Sequence, residues 1–319
     1  MNRSFGIELE IAGISMQHVL TALQAVGITV RQESYNHTTR SHWKLVSDSS
    51  VQGGFEVVSP VLHGEDGIAE AMTVAEALSD AGATVNRTCG FHVHFDASDL
   101  SVADVKTILR RYADHEAEID AIMPPSRRGR ANTFCNTLAR ISFPRMMQAE
   151  SIAEMADIMG SRYYKVNLEA FRRHGTIEFR QHSGTVNARK IANWVRFLGQ
   201  FIDACKAMNT APVAPAPVIE HPALRGVQAR LAEMFTAQGV VSLASICDAF
   251  GWLPHTARAA ITRLRRTGMQ IEPIRGQAAY RLTGGMIQEA APAQESLWDG
   301  ISESVVRFYR NRAAVLATL

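Results

Sequence analysis

The sequence has no run of eighteen apolar residues, and no basic segment leading into an apolar core stands at its start. Both absences point away from membrane insertion and export, so no membrane partner is expected. Cysteine is scarce: Cys89, Cys135, Cys205 and Cys247 lie far apart, with no CxxC pair. That spacing argues against a disulfide framework and a Cys-rich zinc site, and fits reduced thiols in a cytoplasmic protein. No internal repeat is visible. A strong charge of one sign is lacking too, the net value being +2.

What is present is 319 residues, 46% of them hydrophobic, enough for two domains and a sizeable core. The charge is unevenly placed. Residues 225–284 carry eight arginines, no lysine and three acids, a surplus of five positive charges that leaves the remainder at −3. A basic module on a mildly acidic body implies two tasks, one of which can involve a polyanion. The stretch "NTAPVAPAPVIEHP" holds four of the eleven prolines and reads as an extended connector. The expected organisation is a first domain over 1–208, a Pro-rich linker over 209–223, a second domain over 224–284, and a linker with an amphipathic C-terminal helix over 285–319.

In the first domain, short alternating strands mix with amphipathic helices over 15–27, 67–82, 101–123 and 187–208, an α+β pattern. Ser101 with Asp104 and Ser151 with Glu154 have the capping-box spacing that marks helix starts. In the second, three helical segments precede two strands that turn at Arg275 and Gly276, a winged helix-turn-helix pattern.

Several strands share one construction. In "FGIELEI" (5–11), Phe5, Ile7, Leu9 and Ile11 point one way, and Gly6, Glu8 and Glu10 the other. "FHVHF" (91–95) sets Phe91, Val93 and Phe95 against His92 and His94, and "TIEFRQH" (176–182) sets Ile177 and Phe179 against Thr176, Glu178, Arg180 and His182. A fourth segment supplies Asp48 before a Gly53–Gly54 turn and Glu56 after it. Singly, each has an ordinary account as a solvated face or a cross-strand ion pair. Together they would crowd like charges unless cations sat among them. Carboxylates in excess, with few imidazoles and no thiolates, suit Mg²⁺ or Mn²⁺ better than zinc.

Six blocks occur in order: "FGIELEI", "W…DSSV…GGFEVVSP", "CGFHVHF", "SRRGRANTFC", "YKVNL" and "GTIEFRQHSGTVN". Over roughly residues 5–205 they resemble the amidoligases, carboxylate–amine ligases related to glutamine synthetase and glutamate–cysteine ligase. The resemblance implies an antiparallel, glutamine-synthetase-like sheet with flanking helices. It also implies ATP-dependent amide formation through an acyl phosphate, with Mg²⁺ or Mn²⁺. By motif, Glu8, Glu10, His92 and Glu178 would be metal ligands; Asp48 and Glu56 occupy further acidic positions of the blocks without a clean glutamine-synthetase counterpart, and Glu56 is counted with the metal ligands. Arg180 would hold a phosphate and His94 would touch substrate or phosphate. In the loop "PPSRRGRANTFCN", Arg127, Arg128 and Arg130 are candidates to close over the nucleotide or acyl phosphate, with a solvated loop as the alternative, and Lys165 is a candidate to line the cofactor pocket, with structural packing as the alternative. No ammonia-site or nucleotide-base motif is recognisable.

The acid and amine stay open between small-molecule, peptide and nucleobase-linked substrates, and so does assembly into a homo-oligomer. Residues 254–281 offer His255, Thr256, Arg258, Arg263, Arg265, Arg266, Arg275 and Arg281 to nucleic acid. Protein binding or simple packing is the alternative. Three other functions use the same residues: a metal-dependent hydrolase, a ligand-sensing DNA-binding regulator, and an inactive ligase kept as a scaffold.

Overall fold

The computed structural model describes residues 1–129, 132–210, 226–267, 269–274, 276–284 and 296–317. The chain divides into two compact units, Met1–Ala211 with Leu297–Leu319, and Pro212–Ser296. Arg130 and Arg275 lie outside the described residues, as does most of the Pro-rich linker.

In the first unit, the alternation of residues 5–11 becomes β1, Ser4–Ala12. Its Phe5, Ile7, Leu9 and Ile11 are buried in the main core, each contributing about 1.5–3 kcal/mol of hydrophobic stabilisation. The strands β2 (Val30–Gln32), β3 (Trp43–Val46), β4 (Gly54–Val58), β5 (Leu62–His63), β6 (Gly90–Asp96), β7 (Val166–Asn167) and β8 (Thr176–Ser183) complete the sheet. Their order is β2-β3-β4-β1-β6-β8-β7, with β5 also on β1. β2 runs parallel to β3 and the other pairings are antiparallel. This is the expected α+β class.

Helices cover the apolar face. Tyr112, from the helix Val102–Asp114, packs on Phe179 of β8, with ring centroids 5.8 Å apart. The long helix Ala188–Thr210 comes so close to β6 that a Cβ on Gly199 would meet the Phe95 ring at 3.4 Å. Ser101 and Asp104 form a complete reciprocal capping box. Ser151 caps Glu154 N, but the Glu154 carboxylate turns to Glu150 N. The helix expected over 101–123 breaks at His115 into Val102–Asp114 and Glu116–Ala121. The helix Glu303–Ala317 belongs to this same unit, where Tyr309 packs against Trp194 and Trp298.

One register feature overturns an expectation. Phe91 of β6 faces His182 of β8, while Val93 faces Phe179. A two-residue step on β6 thus matches a three-residue step on β8, a β-bulge at Arg180–Gln181. The extra residue reverses the alternation, so His182 does not share the face of Glu178 and Arg180. It is buried on the apolar side, 5.4 Å from both Phe91 and Trp194.

The second unit orders its elements as the helix Val227–Gln238, β9 (Val240–Ser242), the helices Leu243–Phe250 and Pro254–Arg266, then β10 (Gln270–Pro273) and β11 (Ala279–Gly284). Its antiparallel sheet has the order β10-β11-β9. Its own core joins Leu231, Phe235, Ile246, Ile261, Leu264 and Ile271. No helix among the described residues is long and apolar enough to cross a membrane.

Candidate active site

Register decides which polar side chains meet. Glu8 of β1 stands opposite His92 of β6, and Glu10 opposite Glu56 of β4. His94 and Asn167 flank Glu178 from either side of β8. The polar face of the sheet therefore forms the floor of a cleft of ≈ 880 Å³. Asp48, Arg127 and Arg180 line it as well, and Tyr35, Phe134, Arg162, Tyr163 and Arg173 lie among its other lining residues.

Two groups of potential ligands result. Glu8, His94 and Glu178 each offer an atom within 4.8 Å of the others, and so do Glu10, Asp48 and Glu56. His92 stands between the groups, its Nδ1 3.0 Å from Glu8 and 3.6 Å from Glu178, its Nε2 3.7 Å from Glu10. The imidazole inside a ligand group is thus that of His94. Glu10 also accepts the amide of Gly90, and Glu178 accepts Asn167 Nδ2 and pairs with Arg180.

The electrostatics are those of acids held too close. Burial, then the charges of Glu8 and Asp48, push the Glu56 carboxyl up to about 10. Burial would raise Glu8 likewise, but its hydrogen bond with His92 and the neighbouring imidazole of His94 outweigh it and hold Glu8 well below the usual carboxylate range. Glu178 is lowered against its burial by Arg180 and His94. Burial disfavours charge on His94, yet Glu178 and Glu8 prevail and raise it. His94 Nε2 is enclosed without a hydrogen-bond partner, 3.5 Å from Glu8 and 3.9 Å from Glu178. Crowded carboxylates and an enclosed, unsatisfied imidazole nitrogen fit hard divalent cations.

A family model described as "Putative amidoligase enzyme" matches residues 1–202, well over half of the chain. The chain belongs to this family. Amidoligases are amide-bond-forming ligases, and the matched segment contains every residue of the cleft. Among curated proteins, none matches.

The amidoligase cleft brings together Glu8, Glu10, Glu56, His92, His94, Glu178, Arg127 and Arg180. Lys165 does not reach it. That side chain is fully buried, with its Nζ between Glu116 and Asp120. Cys135 is buried as well, and burial pushes its thiol up to about 11, so it offers no ready nucleophile. Sequence reading passed over Gly90. A Cβ there would fall 2.7 Å from His92 Nε2 and 3.2 Å from the Arg127 guanidinium. Its position just before "FHVHF" was the only signal. Tyr35, Arg162 and Arg173 sit outside any alternating strand, and nothing in their spacing marked them.

Proposed function

We propose that the first unit is an ATP- and divalent-cation-dependent carboxylate–amine ligase. The observation that carries this reading is the pair of three-residue ligand groups on one sheet face, with Arg127 and Arg180 in the same cleft. The mostly antiparallel sheet with helices on its apolar face also suits a glutamine-synthetase-like architecture. Glu8, His94 and Glu178 would hold one cation and Glu10, Asp48 and Glu56 another, with His92 fixing the carboxylates between them. Bound Mg²⁺ or Mn²⁺ would neutralise phosphate oxygens.

The chain's own residues would do the rest. Arg180, oriented by Glu178, and Arg127 would donate hydrogen bonds to the phosphoryl group as it passes from ATP to the acid. The resulting acyl phosphate is attacked by the amine, which loses a proton as phosphate leaves. No side-chain nucleophile is required. The test is ADP release from ATP with Mg²⁺ or Mn²⁺ and a panel of acids and amines. Glu178→Gln should lower turnover by at least about 100-fold with an unchanged circular dichroism spectrum. Substrate turnover without ATP would instead mark a metal-dependent hydrolase.

The second unit supports a nucleic-acid reading. Its order of helix, strand, two helices and two strands suits a winged helix. In the helix Pro254–Arg266, Ala257, Ala260, Ile261 and Leu264 are buried while His255, Thr256, Arg258, Arg263 and Arg266 are exposed. Arg265 is exposed as well, but its guanidinium donates to Ile271 O at 2.6 Å and lies over the Tyr280 ring. The ligase would then be recruited to its substrate by a separate basic module.

A further inference from the structure

Behind the cleft lies a charged cluster that the proposed chemistry leaves idle. Lys165 Nζ is 2.6 Å from Glu116 Oε1 and 2.5 Å from Asp120 Oδ1. A buried ion cluster is a poor source of stability, because desolvation offsets most of the attraction and apolar side chains of similar volume do as well. What else its members bond to is therefore informative.

Asp120 Oδ2 accepts Gly129 N at 2.7 Å, and Oδ1 accepts Gln181 Nε2. The Gln181 amide also reaches Arg127 O at 3.4 Å, and its Oε1 accepts the Tyr112 hydroxyl at 2.6 Å. Glu116 Oε2 accepts Leu138 N at 2.9 Å. The Lys165 carbonyl accepts Arg180 N at 2.8 Å, and its N–H donates to Asn136 O at 3.0 Å. These bonds converge on residues 127–129, on 136–138, and on the bulge that carries Arg180.

The two arginines need such support. Arg127 is 3% exposed, donates one hydrogen bond to Cys89 O, and has an enclosed Nε without a partner. That bond ties the guanidinium to the segment before β6, and nothing in it sets the spacing to Arg180. Arg180 rises from a bulge, where the regular ladder is interrupted.

We propose that Lys165, Asp120 and Glu116 form a positioning hub that sets the spacing between Arg127 and Arg180, so that both guanidinium groups meet one phosphate-bearing anion. The hub touches the backbone of both segments, and Gln181 joins them directly. The inference rests on the reading that these arginines receive phosphate. Its structural half is tested separately from that reading.

The full-length chain is compared as wild type, Lys165→Met, and Lys165→Met with Asp120→Asn. The double variant removes one of the two carboxylates that Lys165→Met leaves without their ammonium, restoring the cluster's charge balance to that of wild type, and keeps the question answerable where the single variant folds poorly. Amide hydrogen exchange needs no ligand. Exchange at residues 126–129 and 180–181 should quicken at least about tenfold while β1 keeps its protection. Equal loss of protection in β1, or no change anywhere, overturns the hub. Titration with Mn²⁺, and with tripolyphosphate in its presence, gives the second readout. Tripolyphosphate affinity should fall about tenfold or more while Mn²⁺ affinity stays within about twofold. Loss of both affinities, or of neither, again overturns it. A wild-type chain that binds Mn²⁺ but not tripolyphosphate removes the phosphate role, and the exchange data then decide the hub alone.

Discussion

Glu56 is the residue at which the cost of assembling the cleft is most visible. Its carboxyl is pushed up to about 10 from an ordinary value of 4.5, so the metal-free folded protein keeps a proton that the unfolded chain releases. For an acid raised in this way, stability falls as pH rises through the window between 4.5 and about 10. Glu8, Asp48 and Glu178 are lowered, so their contributions are present above the ordinary carboxylate range and fade only as pH falls below it. His94 is raised, and its contribution also wanes as pH climbs past its ordinary 6.5. Comparison with Glu56→Gln isolates the Glu56 share. Thermal melts of metal-stripped protein should show wild type losing stability faster than Glu56→Gln from about pH 5 to about pH 9. Added Mn²⁺ should raise the wild-type melting temperature more at about pH 8 than at about pH 6, because binding must displace that proton.

At the scale of elements, β1 and β6 were legible because strict alternation reports both faces of a strand at once. In β8 the same rule worked as far as Arg180 and then failed, since the register shift depends on what lies across the sheet and not on the composition of "TIEFRQH". Lys165 was misplaced for a related reason: its partners Glu116 and Asp120 come from a helix some 45 residues away in sequence. Short-range spacing carries no trace of such a contact. Gly90 shows the converse, a constraint of close approach at the start of β6. Gly90→Ala should force His92 and Arg127 apart, costing about 1–3 kcal/mol in thermal or denaturant unfolding. It should also weaken Mn²⁺ binding in the same preparation. Unchanged Mn²⁺ affinity would show that the gap beside His92 is not needed.

For the whole molecule, the sequence distinguished two bodies by charge and proline content, and it assigned each a different kind of surface. The return of the chain to the first unit through Tyr309 and Trp298 was not legible, because a helix stripe shows that something is covered but not by what. The basic surface of the second unit makes a prediction at this scale. If Arg258, Arg263 and Arg266 meet phosphates, duplex DNA binding should weaken steeply as salt rises, and replacing all three by glutamine should reduce the slope of log K against log salt by about 2–3. A salt-independent interaction would point to a protein partner. Because Leu297–Leu319 folds back into the body that holds the cleft, both ends of the basic unit are anchored to the enzyme. A single backbone break in either connection therefore leaves the second unit joined to the first through the other, and the two part only when both connections are cut.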